Sequence, residues 1–280
     1  MTKRSRETAK DRLALGVDRG GTRTRIVLIN GLGAEVKRIV HPTARFELLP
    51  GIIIKTASAW GLAPQVPAVI ATRGALTRKW RKPFLLRKLK GRINLLDVIS
   101  DAEAAYLAAH GSKTGILLIA GTGSVVLMKR PGAGPGSRFR KVGGYSPPGG
   151  DPGSGLWIGT RFMAIMKEGG RGLNRRARAA RAEEALRRAE TGHSAAALLV
   201  RLAQEHLSDL LSAGAKKHGA SGPLRVALAG GLMQNDFFRK TFIPLARKRL
   251  TPVRAVFTTL KYPAERAAAE LALKKAYYAL

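Results

Sequence analysis

Short apolar runs separated by tight turns dominate the first half of the chain. The glycine and asparagine residues between the first runs are typical of turns that join neighbouring strands. In chain order, the pattern predicts three strands, a helix, an apolar strand-like run, a further strand and a second helix, near residues 13–18, 25–30, 35–40, 49–60, 66–71, 93–99 and 102–110. Three strands followed by alternating helices and strands indicate a mixed sheet in an α/β layer.

The pattern restarts after Gly111. An apolar strand at 115–120, a turn and a returning strand at 125–129 repeat the opening hairpin. The later elements are three helices, a strand, a helix, a strand and a last helix, near 156–168, 175–190, 194–213, 224–229, from 235, 253–258 and from 264. Two half-repeats predict two lobes. We place the first at 1–103, with a helix at 263–280 packing back on it, and the second at 104–262.

The first turn carries residues suited to phosphate binding. The strand ends on Asp18, and the chain turns through Gly20 and Gly21 onto Thr22 and Thr24. Glycines let the backbone approach closely, and exposed N–H groups with threonine hydroxyls can donate to phosphate oxygens. A carboxylate at this place can reach a magnesium ion. The alternative is an ordinary glycine-rich hairpin turn.

The length and amino-acid composition exclude several classes of protein. The chain has 280 residues, of which 45% are hydrophobic, enough for one large domain or two modest ones. No stretch approaches the roughly 20 apolar residues of a membrane span, and the basic N-terminus lacks the apolar segment of a signal peptide. With no cysteine, disulfides, thiolate zinc sites and cysteine-ligated iron–sulfur clusters are excluded. We expect a cytoplasmic protein without membrane association.

The charge of the chain is unusual. Fifty Lys and Arg residues against eighteen Asp and Glu residues give a formal net charge of +32, concentrated at 78–92 and 171–188. Such charge attracts polyanions and raises the local concentration of ATP. Aromatic residues rarely interrupt the basic stretches, and no nucleic-acid-binding signature is present. We therefore favour a basic solvated surface over a dedicated nucleic-acid interface, so that nucleic acid would bind only through non-specific charge.

Asp101 stands where a predicted strand passes into a helix. One interpretation is a helix N-cap, a position that Asp favours. The other is catalytic, because α/β proteins place reactive groups at the carboxyl ends of strands, and a carboxylate there can take a proton from a substrate hydroxyl.

Three glycine-rich segments of the second half add candidate contacts. Gly121-Thr122-Gly123-Ser124 offers backbone donors and two hydroxyls to phosphate, or is a plain hairpin turn. The loop with Gly143-Gly144-Tyr145 and Asp151 precedes a helix, whose N-terminus suits an anion or sugar hydroxyls. Gly230-Gly231, at a strand end, would let an adenine lie against bare backbone, or forms a strand–helix turn capped by Asn235.

In this order, the motifs resemble those of the actin-like ATPase and sugar kinase superfamily. Within it, the chain resembles the BadF/BadG/BcrA/BcrD ATPase family, which includes N-acetylglucosamine kinase, over roughly residues 13–275. The first phosphate motif, the catalytic aspartate segment, the second phosphate motif, the glycine-rich sugar segment and the adenosine motif correspond to residues 15–24, 100–105, 121–124, 143–155 and 228–231.

The resemblance implies a fold and a set of roles. The fold class is α/β, with two ribonuclease-H-like lobes around a central nucleotide cleft that binds ATP and Mg²⁺. Asp101 would be the catalytic base and also contact the substrate, while Asp18 would hold the metal. The two Gly/Thr turns would bind the phosphates, Gly230 and Gly231 the adenosine, and Gly143, Gly144, Tyr145 and Asp151 the sugar. The family also suggests a homodimer.

The chain departs from the family pattern mainly in the segments that would bind the sugar. Tyr145 replaces tryptophan, Pro152 follows Asp151 in place of glutamate, and Ala44 lies in a segment without the expected asparagine. Arg19 stands in place of a glycine, where it either contacts a phosphate or points away. Residues 72–92 are short and basic where the family has a helix and loop.

These observations lead to one function and two alternatives. We expect an ATP-dependent kinase that phosphorylates a sugar hydroxyl, with N-acetylglucosamine or a related amino sugar as substrate. The first alternative is an ATPase switch of the same family without a sugar substrate. The second is a basic module that binds polyanions or nucleic acid and retains only a vestigial nucleotide cleft.

Overall fold

A computed structural model of the chain describes residues 10–21, 23–75, 77–132, 139–219 and 221–278. The strands in these ranges are β1 (Leu13–Arg19), β2 (Arg23–Asn30), β3 (Glu35–Pro42), β4 (Pro67–Thr72), β5 (Asn94–Ile99), β6 (Gly115–Ala120), β7 (Ser124–Lys129), β8 (Arg140–Gly143), β9 (Leu224–Ala229) and β10 (Ala255–Thr259). The α-helices are α1 (Leu49–Ala59), α2 (Arg81–Leu89), α3 (Asp101–His110), α4 (Gly155–Ile165), α5 (Arg175–Glu190), α6 (Ser194–His218), α7 (Gly231–Gln234), α8 (Asp236–Leu250) and α9 (Ala264–Tyr277).

The chain divides into two compact units. The first comprises Met1–Gly111 with Lys261–Leu280, and the second is Ser112–Leu260. The first unit is therefore discontinuous and contains the last helix, α9. The division follows the end of α3, whereas the boundary that we placed after residue 103 lies within that helix.

The first unit is built on a five-stranded sheet with the order β3-β2-β1-β4-β5. β2 is antiparallel to both β1 and β3, while β1, β4 and β5 are parallel. The carboxyl ends of these three parallel strands therefore meet at one edge of the sheet, where β2 begins and β3 ends. We call this edge the carboxyl edge of the first sheet.

The two faces of this sheet are buried separately. On one face, Leu15, Val17 and Ile26 pack with residues of α1 and α2 such as Ile53 and Leu85. On the other face, alternate residues of the same strands pack with α3 and α9. Both faces are apolar along the centre of the sheet, so that polar side chains can gather only at its edges.

Gly16 allows α9 to lie directly on β1. A Cβ at this position would lie 2.0 Å from the carbonyl oxygen of Glu265 and 2.5 Å from the amide nitrogen of Ala269. No side chain fits there, because real Cβ atoms do not approach backbone so closely. The glycine in the middle of this strand is therefore a packing requirement of the first unit.

The second unit repeats the topology of the first. Its sheet has the order β10-β9-β6-β7-β8, in which β6 and β7 form the antiparallel hairpin and β6, β9 and β10 run parallel. Buried residues of α4, α5, α6 and α8 pack against the sheet, among them Phe162, Leu186, Leu207 and Phe238. The predicted repeat of the opening hairpin and the α/β fold class are thereby confirmed. Among the described helices, none is long and apolar enough to cross a membrane.

Candidate functional site

Asp18 lies near the end of β1, at the carboxyl edge of the first sheet. It is 8% exposed, and its Oδ2 lies 3.3 Å from Nη1 of Arg25 on the neighbouring strand. The two residues are directly opposite in the β1–β2 register, so that their side chains share one face. The predicted metal-binding carboxylate is therefore held in place by a single arginine.

The surroundings of Asp18 disfavour its ionised form. Burial is the main cause, with the negative charges of Glu265 and Asp101 adding to it and Arg25 opposing it, and together they raise the pKa of Asp18 from 3.8 to about 6. Such a carboxylate would gain from a cation, because positive charge lowers the pKa of a neighbouring acid. The site therefore suits the Mg²⁺ that the sequence predicts. Within the described ranges, however, there is no group of three or more His, Cys, Asp or Glu side chains that could hold a metal ion.

Asp101 is the first residue of α3 but does not cap the helix. Ser100 is the N-cap: its hydroxyl accepts from the backbone N–H of Glu103 at 3.1 Å, and the Glu103 carboxylate accepts from the N–H of Ser100 at 2.7 Å. This reciprocal capping box satisfies the helix terminus without Asp101. One oxygen of Asp101 accepts from the N–H of Ala102. The negative charge of Asp101 is one of the causes that raise the pKa of Asp18. The N-cap interpretation of Asp101 is therefore wrong, and its catalytic role stays a prediction.

The glycine turn after β1 leaves its predicted threonines in different positions. The backbone N–H of Gly20 donates to the carbonyl of Arg23 at 3.0 Å, which closes the turn, and Gly21 is exposed. Thr22 lies outside the described residues. Thr24 is buried and lies opposite Arg19 in the β1–β2 register, so its hydroxyl is on the face away from Asp18. The turn can offer backbone to phosphate, but Thr24 and Asp18 are not brought together.

Arg19 points away from the glycine turn. Its Nη2 donates to the carbonyl of Ala44 at 2.7 Å, and its guanidinium lies 5.6 Å from the ring centre of Phe46. The carbonyl oxygen of Gly20 accepts from the Thr43 hydroxyl at 3.0 Å. These contacts tie the segment after β3 to the end of β1. Of the two roles that we considered for Arg19, the structure gives it the one directed away from the phosphate turn.

In the second unit, the hairpin turn between β6 and β7 packs against the start of α4. The N–H of Gly155 donates to the carbonyl of Gly121 at 2.7 Å, and the N–H of Leu156 donates to that of Thr122 at 3.3 Å. The Thr122 side chain is exposed, whereas the Ser124 hydroxyl is buried and donates to the carbonyl of Pro152 at 2.9 Å. The turn therefore presents Thr122 and backbone outward, while Ser124 holds the loop before α4.

Asp151 connects the same turn to the glycine-rich loop. It is 3% exposed, and its two carboxylate oxygens accept from the backbone N–H groups of Ser124 at 3.3 Å and Ser146 at 2.8 Å. Gly123 leaves room for it, since a Cβ there would lie 2.8 Å from Oδ2 of Asp151. Asp151, predicted to contact the sugar, thus has a structural partner for each oxygen.

The other residues predicted to contact the sugar differ in their surroundings: two are glycines required by packing, and one is an exposed tyrosine. Gly143 and Gly144 both have positive φ, of 76° and 70°, and a Cβ on either would press against Leu210 or Val125. Their glycine identity is therefore explained by the fold of the second unit. Tyr145 is 81% exposed. Its ring can contact a ligand, and no hydrogen bond or ring contact with another described residue holds it in position.

A cavity of the second unit lies beside Gly231. It has a volume of about 640 Å³, and the turn residues Gly121 and Thr122 form part of its wall. The remaining wall is shared by the start of α4, one face of α5 and the region of α7, through Gly155, Arg176, Ala179, Ala180, Ala182, Glu183, Leu186, Gly231, Leu232, Gln234 and Asn235. Glycine backbone on one side and alanines on the other suit a flat ring, as predicted for the adenosine motif.

Of the two predicted adenosine-binding glycines, Gly231 lines this cavity and Gly230 does not. Gly230 has a φ of 95°, and a Cβ on it would lie 2.3 Å from the carbonyl oxygen of Ala120, so it is required by the close approach of β9 and β6. A Cβ on Gly231 would meet nothing within 4 Å. Gly231 therefore leaves space that belongs to the cavity.

Several residues that contribute to these sites were not predicted. Glu265 on α9 is buried, forms an ion pair with Arg38 at 2.5 Å and raises the pKa of Asp18. It is far from Asp18 in sequence, and the isolated Gly16 within an apolar strand was the one signal that a helix approaches there. Arg176 and Glu183 line the cavity, but their sequence context shows only a basic helix.

The fold of the described chain matches that of actin-like ATPases and sugar kinases. A structure provisionally described as an N-acetylglucosamine kinase from Chromobacterium violaceum has a TM-score of 0.70 and 24% identity, covering 94% of this chain and 99% of that one. A ROK family glucokinase from Streptomyces griseus, in complex with glucose and AMPPNP, has a TM-score of 0.62, 18% identity and coverages of 93% and 99%. An activator of 2-hydroxyisocaproyl-CoA dehydratase from Clostridium difficile with bound ADPNP has a TM-score of 0.50, 13% identity and coverages of 94% and 95%.

The sequence itself identifies the family. The model of the BadF/BadG/BcrA/BcrD ATPase family matches residues 15–267, which is most of the chain. The protein therefore belongs to this family, in agreement with the resemblance found from the motifs. No curated protein matches the sequence.

Proposed function

We propose that the protein is a kinase that transfers a phosphoryl group from ATP to a sugar hydroxyl, with N-acetylglucosamine or a related amino sugar as the acceptor. The observation that carries this proposal is the pair of carboxylates at the carboxyl edge of the first sheet. Asp101 is not needed for capping, because Ser100 and Glu103 form the capping box. Asp18 lies close enough for the charge of Asp101 to raise its pKa.

The roles proposed for nucleotide binding are divided between the two units. In the first unit, Asp18 would hold Mg²⁺, usually through water, and the Gly20–Gly21 turn would offer backbone N–H groups to phosphate. In the second unit, Thr122 would contact phosphate and the cavity beside Gly231 would take the adenine. When bound, Mg²⁺ neutralises charge on the phosphates. The bound AMPPNP and ADPNP of the two neighbours support nucleotide use.

Asp101 would act as general base in the transfer. The acceptor hydroxyl loses its proton to the Asp101 carboxylate as its oxygen forms a bond to the γ-phosphorus. The bond from that phosphorus to the bridging oxygen of ADP breaks, and ADP leaves with the electron pair. Because phosphoryl transfer depends mainly on alignment and charge neutralisation, a positioned carboxylate with two backbone turns is a sufficient set of groups.

The test is a coupled assay of ADP release with Mg-ATP and a panel of hexoses and amino sugars, including a control without sugar. We expect release that depends on an amino sugar, and we expect Asp101→Asn to lower kcat by about 100-fold or more while nucleotide binding is retained. Full phosphoryl transfer by Asp101→Asn would refute its assignment as base.

Ser100→Ala is the matched control for Asp101→Asn. It removes the N-cap hydroxyl next to Asp101 and should cost about 1 kcal/mol of folding stability. The Asp101 carboxylate remains, so turnover at temperatures well below unfolding should be largely preserved. Equal loss of activity in both variants would mean that the helix terminus, and not the carboxylate, is what the reaction requires.

The ATPase alternative is favoured by one group of observations. The oxygens of Asp151 both accept from backbone, Ala44 offers only a carbonyl, which Arg19 already contacts, and Tyr145 is exposed. ADP release that is unchanged by every sugar would support that alternative and refute the kinase proposal. The same assay thus decides between the two functions.

A further inference from the structure

A cluster of arginines occupies the carboxyl edge of the first sheet without matching carboxylates. Arg19 ends β1, Arg73 directly follows β4, and Arg81 begins α2. None of these three forms an ion pair with an acidic side chain anywhere in the described ranges. The negative charge of Glu47 favours the charged forms of Arg19 and Arg81, but Glu47 is itself exposed to solvent and forms no ion pair with either within the described ranges. Positive charge therefore remains uncompensated at this edge.

Arg81 is the most unusual member of the cluster. It is 8% exposed, its guanidinium lies 4.4 Å from the ring centre of Phe46, and it donates through Nη1 to the carbonyl of Arg73. Its Nε is buried and has no hydrogen-bond partner among the described residues. Burial, together with the charges of Arg78 and Arg19, lowers its pKa. A buried cation without a paired anion is unfavourable for folding, so a bound anion would stabilise Arg81.

Described contacts connect the three residues in different ways. Arg19 and Arg81 both contact the ring of Phe46, which holds their guanidinium groups in orientation. Arg73 is exposed, and its Nη1 lies 4.0 Å from the position of a Cβ on Gly21. The cluster thus extends from the segment after β3 to the glycine turn after β1.

We propose that Arg19, Arg73 and Arg81 form an oxyanion-binding site that takes a carboxylate or phosphate carried by the acceptor. Within the proposed kinase function, on which this assignment rests, the acceptor is accordingly a related sugar that carries an anionic group, in preference to N-acetylglucosamine itself. Guanidinium groups bind both oxyanions through paired hydrogen bonds, so the two share one recognition chemistry.

Two features favour the acceptor over the nucleotide as the source of the anion. Arg19 lies on the face of β1 opposite to Asp18, since successive residues of a strand alternate, and it is turned toward Ala44. Phosphates held near the Asp18 metal site would lie on the other side. In addition, β4 lies between β1 and β5, so Arg73 stands between the strands that lead to Asp18 and to Asp101. An acceptor placed before Asp101 can therefore present its anionic group to Arg73.

The test measures binding by titration calorimetry without nucleotide, at about 150 mM salt, where distant charges are screened. The probes are N-acetylglucosamine 6-phosphate and glucuronate, compared with their neutral counterparts N-acetylglucosamine and glucose. We expect the anionic sugars to bind about tenfold or more tightly than the neutral ones, and Arg73→Gln to remove this preference. The side chain of Arg73 makes no described hydrogen bond, so the variant should fold normally.

Arg92→Gln is the matched control. Arg92 is an exposed arginine of the same unit and precedes β5, so it lies at the opposite edge of the sheet. The preference for anionic sugars should survive in this variant. Equal loss in both variants would show that the preference comes from net charge alone and would overturn the proposal.

Other outcomes separate this proposal from the function on which it rests. If Arg73→Gln weakens ATP relative to ADP and leaves the sugar preference intact, the anion is the γ-phosphate and the assignment to the acceptor is wrong. If wild-type protein does not prefer anionic sugars yet phosphorylates a neutral one, the arginine site is refuted while the kinase stands. If anionic sugars bind through Arg73 but no sugar, anionic or neutral, stimulates ADP release, the site stands and the kinase function is refuted.

Discussion

Replacing Asp18 by asparagine should stabilise the protein while removing the proposed metal ligand. In the folded state the pKa of Asp18 is raised from 3.8 to about 6, because burial and the charges of Glu265 and Asp101 outweigh the ion pair with Arg25. The folded protein therefore holds this proton more strongly than the unfolded chain. At about 1.4 kcal/mol per pKa unit, ionising Asp18 costs the folded state about 3 kcal/mol above pH 6.

Because the folded-state pKa of Asp18 is raised, the change in unfolding free energy is confined to a defined pH range. The wild-type protein loses this stability as the pH rises from about 4, where the unfolded chain titrates, to about 6, where the folded protein does. Asp18→Asn does not titrate, so the difference in unfolding free energy between variant and wild type should grow by about 3 kcal/mol across that window. Above pH 6 it should stay constant.

The assay is urea unfolding of both proteins at pH values from 4 to 8, with EDTA and without nucleotide. Asp97→Asn provides a control of opposite sign in the same unit. Burial alone would raise the pKa of Asp97, but its contacts with Lys275 and Lys82 lower it overall. That variant should lose stability relative to wild type as the pH rises. A difference for Asp18→Asn that is independent of pH, or that follows the direction of Asp97→Asn, would refute the reasoning.

Two further predictions concern glycines. Gly16→Ala should destabilise the first unit by about 3 kcal/mol, because the new Cβ meets the backbone of α9, whereas Gly51→Ala, which meets nothing within 4 Å in α1, should be neutral or stabilising by about 1 kcal/mol. Thermal and urea unfolding measure both, and equal stability would contradict the close approach. Gly231→Val should weaken ATP binding about tenfold or more in equilibrium titration with little change in stability, while Gly149→Val, equally unhindered but outside the cavity, should bind ATP normally. If Gly231→Val binds ATP with unchanged affinity, adenine does not bind in that cavity.

The parts of the fold that could be predicted from sequence are those encoded locally. Alternating apolar residues and glycine turns indicate both hairpins, and the β1–β2 and β6–β7 pairs form as expected. Asp18 and Asp101 could be placed at one edge, because each follows or ends an apolar strand of the same parallel set. The family could be identified because its motifs are short contiguous segments in a fixed order.

Elements without a clear hydrophobic pattern were missed. α2 begins with Arg81 and carries so many basic residues that its apolar positions, Leu85 and Leu89, did not stand out. β8 has only four residues and exposes two of them, so it shows no useful alternation. Both elements are stabilised mainly by packing and pairing with distant segments, which a local pattern does not contain.

Details of the site depend on tertiary contacts and were beyond prediction. Nothing near Asp151 in sequence indicates that its carboxylate accepts from the backbone N–H of Ser124. The rotation of Arg19 toward Ala44 depends on where the segment after β3 lies. The burial of Glu265 depends on the approach of α9 to Gly16. In each case a polar side chain takes a role set by a neighbour far along the chain.

The discontinuity of the first unit sets an order for folding during synthesis. The second unit is a single continuous segment, Ser112–Leu260, and all of it is synthesised before α9. Until then, the face of β1 at Gly16 has no helix to cover it, and its apolar residues are exposed to water. The first unit therefore cannot complete its fold until a segment synthesised after the whole second unit has been added. During that interval, the uncovered sheet is the part of the molecule that chaperones would have to protect.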